Sequence, residues 1–217
     1  MTDDMDDMAD TDDTDDTDDI TSAVLSGSMY NQLRLQRRTD FSQTTVTKLT
    51  LQSLLLGGLT LLLPIYLLFP STAMEYLPAA DPATASPKVL ILGVVGAGIV
   101  SFTALLLIGA ALYRIRNHPL DESQAQAVLN VEDFASYLAF GTGGLAIGLT
   151  VVYFMIGLGG GSAVESYIQA MDGVNPFAAS GTGLSVVELA VSSFLGCTVL
   201  LTIRLYLKLR LFELESV

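Results

Sequence analysis

One carboxylate, that of Glu188, lies inside a long apolar stretch bounded by Asp172 and Arg204. A charged side chain costs roughly 3 kcal/mol at the centre of a bilayer, so an ionisable residue inside a membrane span is a candidate for binding a proton or a cation. Ser185 and Ser192 lie three residues before and four residues after Glu188, a spacing that places all three side chains on one helical face. This pattern predicts a polar stripe centred on Glu188.

The depth of Glu188 leaves two interpretations open. Glu188 precedes Arg204 by 16 residues, which is about 24 Å at the rise of an α-helix. If Arg204 marks one edge of a hydrocarbon core of about 30 Å, the carboxylate lies within about 6 Å of the other edge and can reach interfacial water. Glu188 is then either a glutamate tolerated near the interface or a group that binds a proton or a cation.

The other residues that could do chemistry form no recognisable catalytic or metal-binding set. His118 is the only histidine and Cys197 the only cysteine, so the side chains that usually hold a transition metal are too few. Ser162 and Ser180 have no histidine or lysine on their side of the predicted membrane to serve as a base. The glycine-rich run 157–162 lacks the Lys-Ser/Thr ending of a phosphate loop. We therefore expect no enzymatic activity, no cofactor and no metal site.

Glycines recur at helical spacing in two of the apolar stretches. Gly141, Gly144 and Gly148 share one face of the third stretch, and Gly93 and Gly96 lie in the second. Small residues let helix backbones approach closely in lipid, where no hydrophobic force drives helices together. These glycines predict helix packing, either within one bundle or between two chains.

The elements that must position these residues are four long apolar stretches. No charged residue interrupts the first three, and the fourth contains only Glu188. A hydrocarbon core needs roughly 20 apolar residues in a helix, because unpaired backbone groups are not tolerated there. We predict spans at about residues 49–69, 89–113, 134–158 and 184–206. The expected fold is all-α, an integral membrane four-helix bundle formed by residues 49–211.

The basic residues indicate an orientation for this bundle. Nine of the ten lysines and arginines fall on one side of the predicted spans. Basic residues concentrate in the cytoplasmic loops of membrane proteins, whereas acidic residues have little influence on orientation. The pattern predicts a cell-membrane protein whose termini, including residues 212–217, are both cytoplasmic (N-in/C-in).

The first part of the chain is acidic. Eleven aspartates among residues 3–19 supply most of the formal net charge of −13. This segment has too little apolar content to repay the cost of ordering, so residues 1–22 are predicted to be a disordered cytoplasmic tail, with nucleic acid disfavoured as a partner. Residues 23–48 carry Leu25, Met29 and Leu33 at four-residue spacing. This four-residue spacing predicts either an amphipathic helix on the inner membrane surface or an extension of the first span.

The composition resembles that of proteins from extremely halophilic archaea, with many aspartates and three lysines against seven arginines. The resemblance implies a cytoplasm at molar salt, where the Debye length is about 3 Å and surface ion pairs count for little. It implies a source and not a function.

The connecting segments predict little additional structure. Residues 70–87 contain four prolines and should be irregular. Residues 117–133 carry a helix-start signature, and the expected helix either bends into the third span or breaks near Asn130. Residues 163–171 predict a short helix at the outer surface.

The function expected from these features is that of a non-catalytic structural or accessory component of a membrane assembly. The alternative is a small transporter or channel subunit that uses Glu188 as its cation- or proton-binding group. The expected partners are the lipid bilayer and either further copies of the chain or another membrane protein.

Overall fold

The computed structural model describes residues 29–36 and 43–215. The predicted acidic tail, residues 1–22, and part of segment 23–48 therefore lie outside the described residues. The helices are α1 (Met29–Gln36), α2 (Thr45–Thr60), α3 (Leu62–Leu67), α4 (Ser71–Met74), α5 (Val89–Arg116), α6 (Glu122–Ser136), a π-helix (Tyr137–Gly144), α7 (Leu145–Leu158), α8 (Gly160–Ala170) and α9 (Val186–Glu215).

Four helical segments are long and apolar enough to cross a membrane. They are Thr45–Leu67, Val89–Arg116, Glu122–Leu158 and Val186–Leu211. This confirms the all-helical, four-span part of the sequence prediction. The segments alternate in direction, so Lys48, Arg114, Arg116 and Arg204 lie towards one end of the bundle, called here the basic end. The opposite end, which carries the connections 68–88 and 171–185, is called the loop end.

The third segment is much longer than a bilayer requires. From Glu122 to Leu158 it contains 37 residues, or about 55 Å of helix against a hydrocarbon core of about 30 Å. It begins with a capping box, in which the Asp121 carboxylate accepts from the Gln124 N–H and the Gln124 side chain accepts from the Asp121 N–H. Of the two predicted outcomes for residues 117–133, the helix continues into the span and does not break at Asn130.

Close helix packing depends on glycines of α5 and the π-helix. A Cβ atom at Gly96 would lie 2.8 Å from Ile147 Cγ1 and 3.0 Å from the Gly143 carbonyl oxygen. A Cβ at Gly93 would lie 3.1 Å from Thr150 and 3.2 Å from Leu189. Gly93 and Gly96 therefore lie where side chains from neighbouring helices fill the interior.

The predicted glycine face on the third segment does not pack against α5. Gly141 and Gly148 are exposed, and a Cβ atom at either would meet no neighbour within 4 Å. Gly144 is half-buried beside Leu55, at an ordinary contact distance of 3.5 Å. The glycine that contacts α5 is Gly143, which the sequence pattern did not single out.

Aromatic rings and loop hydrogen bonds close the loop end. Tyr66, Phe69, Phe154 and Phe177 are buried and pack ring against ring, with centroids 5.2 to 6.3 Å apart. The connections are joined through backbone hydrogen bonds, which include Lys88 N–H to the Ala178 carbonyl and Val186 N–H to the Ala85 carbonyl. The aromatic rings therefore fill much of the interior at this end of the bundle.

Candidate functional site

Glu188, the sequence-predicted candidate, belongs to a capping box at the start of α9. Its carboxylate accepts a 2.9 Å hydrogen bond from the Ser185 N–H, and its own N–H donates to Ser185 Oγ at 3.2 Å. A serine followed three residues later by glutamate, just before an apolar run, is the sequence signature of this motif. Ser185 and Glu188 carry this signature in the sequence itself.

The predicted stripe does not converge inside the bundle. Glu188 and Ser192 are exposed, whereas Ser185 is buried. The Ser192 hydroxyl donates to the Leu189 carbonyl within its own helix at 3.0 Å. The structure thus gives Ser185 and Glu188 a role in starting α9, and binding of a proton or cation at Glu188 stays a prediction.

A different carboxylate, that of Glu132, is buried at the basic end. Glu132 is only 1% exposed. Each of its two carboxylate oxygens accepts a hydrogen bond from a residue of another helix. The Tyr30 hydroxyl on α1 donates to Oε2 at 2.9 Å, and the Thr45 hydroxyl on α2 donates to Oε1 at 2.7 Å. Because Glu132 lies on α6, this one carboxylate joins three helices.

Two cations lie beside this carboxylate. The Arg114 guanidinium on α5 sits over the Tyr30 ring, 3.9 Å from its centroid. The Lys48 ammonium on α2 lies 3.9 Å from the carboxylate of Asp133, and its side chain is 3% exposed. Burial of a charge is tolerated when opposite charges and hydrogen bonds surround it. We call this group the Glu132 cluster; its members are Tyr30, Thr45, Lys48, Arg114, Glu132 and Asp133.

Burial gives the Tyr30 hydroxyl a fixed role in the cluster. Burial raises the pKa of the Tyr30 phenol well above its ordinary value, and the negative charge of Glu132 raises it further. The phenol therefore keeps its proton at neutral pH and well above it. In this protonated form it donates the hydrogen bond to Glu132 that links α1 to α6.

Polar side chains continue from the cluster towards the middle of the bundle. The Ser136 hydroxyl donates to the Glu132 carbonyl at 2.6 Å, and the fully buried Gln52 amide donates to Thr103 Oγ1 at 3.3 Å. The buried positions of the first segment after Ser53 are Leu56, Leu59, Leu62 and Tyr66. Most of the buried polar side chains therefore lie in the basic half of the bundle, and fewer, such as Thr150 and Ser185, are buried towards the loop end.

The Glu132 cluster was missed because Glu132 lies directly before the predicted third span, where a charge marks a boundary. A signal was nevertheless present. Ala125, Val128, Leu129 and Ala135 recur at helical spacing and are buried, and Glu132 falls on this same face. A carboxylate on the apolar face of an amphipathic helix must find partners from another element. The identity of those partners, Tyr30 and Thr45, required the tertiary structure.

Within the part of the chain that the structure describes, no three histidine, cysteine, aspartate or glutamate residues are grouped so as to hold a metal ion. A scan against protein-family models matches no family, and searches of curated proteins and of solved structures find no similar protein. The geometry at the basic end is thus the basis on which a function can be argued.

Proposed function

We propose that this chain is a non-catalytic accessory component of a membrane assembly and that α1 and α6 form the platform on which its partner docks. The observation that supports this is the buried hydrogen bonding of Glu132 to Tyr30 and Thr45. It fixes a short helix outside the spans in one position on the bundle. A fixed helical surface is suited to recognition, because less ordering entropy is lost on binding.

A separate hydrophobic cluster supports the platform. Tyr30 of α1 packs with Ala110 of α5 and with Ala125, Val128 and Leu129 of α6. A helix of eight residues is too short to be stable in water alone, so α1 depends on these contacts and on the hydrogen bond to Glu132. The opposite face of α6 is polar and exposed at Glu122 and Gln126, which leaves it free for a partner.

The proposed setting is the cell membrane, with the basic end and both termini in the cytoplasm. Lys48, Arg114, Arg116, Arg204 and Lys208 all lie at or near the basic end, and the positive-inside rule supports this orientation. The halophile-like composition leads us to propose a cytoplasm rich in salt. At about 1 M salt, screening weakens exposed ion pairs much more than buried ones, so a buried cluster is a suitable device for holding α1.

The experiment that tests this function is purification of the full chain in a mild detergent, with identification of the proteins that accompany it. An accessory component should bring a different membrane protein with it in a fixed ratio. The alternative function, a small transporter or channel subunit that uses Glu188, predicts a homo-oligomer and ion flux in liposomes. A homo-oligomer with flux and without companions would contradict our proposal.

A further inference from the structure

A lateral groove opens between the last turns of α5 and the first turns of α6. Its volume is about 500 Å³. It is lined mainly by apolar side chains and has a few polar groups at one end. The lining includes Leu105, Gly109, Tyr113, Gln124, Ala127 and Val131. Leu105, Tyr113 and Val131 are exposed, so the groove faces whatever surrounds the bundle.

Small residues create the groove. Gly109 and Ala110 on α5 face Ala127 on α6, where larger side chains would fill the space. A Cβ atom built at Gly109 meets nothing within 4 Å. Position 109 therefore borders open space, and a bulky side chain there can occupy the groove without displacing a neighbour.

The polarity of the groove changes along its length. Because α5 and α6 are antiparallel, Leu105 and Val131 lie at one end, and Tyr113, Ser123 and Gln124 lie at the other. Each wall covers nine residues of helix, from 105 to 113 and from 123 to 131, or about 12 Å from first to last. The groove thus runs from an apolar end to an end with hydroxyl and amide groups.

This gradient matches the level of the groove in a bilayer. Counting from the start of α5 at Val89, Leu105 lies about 24 Å and Tyr113 about 36 Å along the helix. The far edge of a hydrocarbon core of about 30 Å falls between them, near Gly109. The apolar end of the groove is therefore inside the hydrocarbon, and its polar end is at the level of the lipid headgroups.

The charge at the polar end fits a phosphate. Arg116 is exposed and lies on the same face of α5, three residues beyond Tyr113. Two acids, Asp121 and Glu122, also lie at the start of α6 and keep their negative charge, so the phosphate contact depends on Arg116 itself; hydrogen bonds from the first turns hold both carboxylates beside α6. The Asp121 carboxylate accepts from the Ser123 hydroxyl and the Gln124 N–H, and the Glu122 carboxylate accepts from the Gln126 amide.

From this geometry we propose that the groove is a binding site for one phospholipid, with an acyl chain between Gly109 and Ala127 and the phosphate beside Arg116. The chain occupies the end that lies in the hydrocarbon, and Arg116 contributes a charge-assisted contact at the interface. The site does not depend on the accessory function proposed above. It makes a bound lipid part of the wall formed by α5 and α6.

Native mass spectrometry of the delipidated full chain in a mild detergent tests this site. The probes are dioleoylphosphatidylcholine and dioleoylglycerol, which share their acyl chains; dioleoylglycerol lacks the phosphocholine headgroup and therefore the phosphate. We expect one tightly bound phosphatidylcholine per chain and about fivefold weaker binding of dioleoylglycerol, as expected for loss of one interfacial cation contact. Arg116→Gln should remove this fivefold difference.

A matched pair of variants on α5 separates the groove from the rest of the lipid-facing surface. Gly109→Leu should fill the groove and weaken both probes at least tenfold. Gly98→Leu, also exposed and without a neighbour within 4 Å, should bind both probes like the unmodified chain. Circular dichroism checks that both variants retain their helices. Equal binding by the two variants would overturn the groove as the site, and equal binding of the two probes by the unmodified chain would overturn the phosphate contact.

Discussion

The Tyr30 hydroxyl donates a 2.9 Å hydrogen bond to the buried carboxylate of Glu132, although the two residues are 102 positions apart in the chain. Tyr30 belongs to a helix outside the four spans, and Glu132 belongs to the extension of the third. Their contact attaches α1 to α6 and so holds together the platform that these two helices form at the basic end. Each member of the pair can be altered separately, so the role of the contact can be measured.

Removal of the Tyr30 hydroxyl should loosen α1. In Tyr30→Phe, Glu132 Oε2 loses its donor and remains buried, which should cost about 1 to 3 kcal/mol. Hydrogen exchange should therefore quicken in residues 29–36, while the middle of α5 stays protected. Tyr206→Phe is the control, because Tyr206 is exposed. Unchanged exchange in α1 would show that the hydrogen bond does not hold it.

The two glutamates should differ in their contribution to stability. Glu132→Gln replaces one acceptor of a buried pair of hydrogen bonds with a donor group and should lower the free energy of unfolding by about 2 kcal/mol. Glu188→Gln keeps an acceptor at an exposed capping box, so its effect should be within about 0.5 kcal/mol. Thermal unfolding in detergent, followed by circular dichroism, measures both. A larger loss of unfolding free energy in Glu188→Gln than in Glu132→Gln would contradict the conclusion that Glu132 is the structurally important carboxylate.

Glycine substitutions should distinguish interior packing from the exposed glycine face. Gly96→Leu must push α5 away from Ile147 and Gly143, so we expect misfolding or a loss above about 2 kcal/mol. Gly148→Leu adds a side chain to open space and should leave the single chain folded. Size-exclusion chromatography with light scattering checks both variants. If Gly148→Leu folds but changes the oligomeric state, the exposed face is a contact between chains; tolerance of Gly96→Leu would contradict the packing described here.

The start of α6 should be sensitive to acid. The Gln124 N–H, with help from the Ser123 hydroxyl, holds the pKa of the Asp121 carboxyl below its ordinary value of 3.8. A carboxyl with a lowered pKa stabilises the folded state above its unfolded pKa, and this contribution is lost as the pH falls through the folded value. The first turn of α6 should therefore weaken only below about pH 3.8.

An NMR titration of the Gln124 amide measures this effect. Its chemical shift should change with a midpoint below 3.8, the ordinary pKa of the carboxyl. In Asp121→Asn the cap is kept but the titrating group is gone, so the shift should be flat over the same range. A midpoint above the ordinary value would mean that the cap does not favour the charged form.

The four spans could be predicted from the sequence because hydrocarbon leaves the backbone few alternatives. A long uncharged apolar run must be helical, and its length follows from the thickness of the bilayer. The Glu132 cluster could not be predicted in the same way. It depends on which face of α1 packs against α6, and nothing in the local pattern specifies a contact between Tyr30 and a residue so distant in the chain.

The structure refines two local predictions for physical reasons. The predicted glycine face assumes the period of an α-helix, but residues 137–144 form a π-helix, whose wider turn changes which side chains share a face. Gly143 rather than Gly144 therefore contacts α5. Glu188 lies within the fourth membrane-spanning segment, Val186–Leu211, as the sequence predicts, and close to its start, because α9 begins at Val186. Its position in the first turn favours capping.

Affinity purification of the full chain from its native membrane in a mild detergent tests whether the platform formed by α1 and α6 binds a partner protein. We predict that the unmodified chain and Glu188→Gln each retain the same companion protein in a fixed ratio, and that Glu132→Gln loses it while its four spans remain folded. Equal retention by Glu132→Gln, or isolation of the unmodified chain without any companion, would contradict the accessory function argued from the Glu132 cluster.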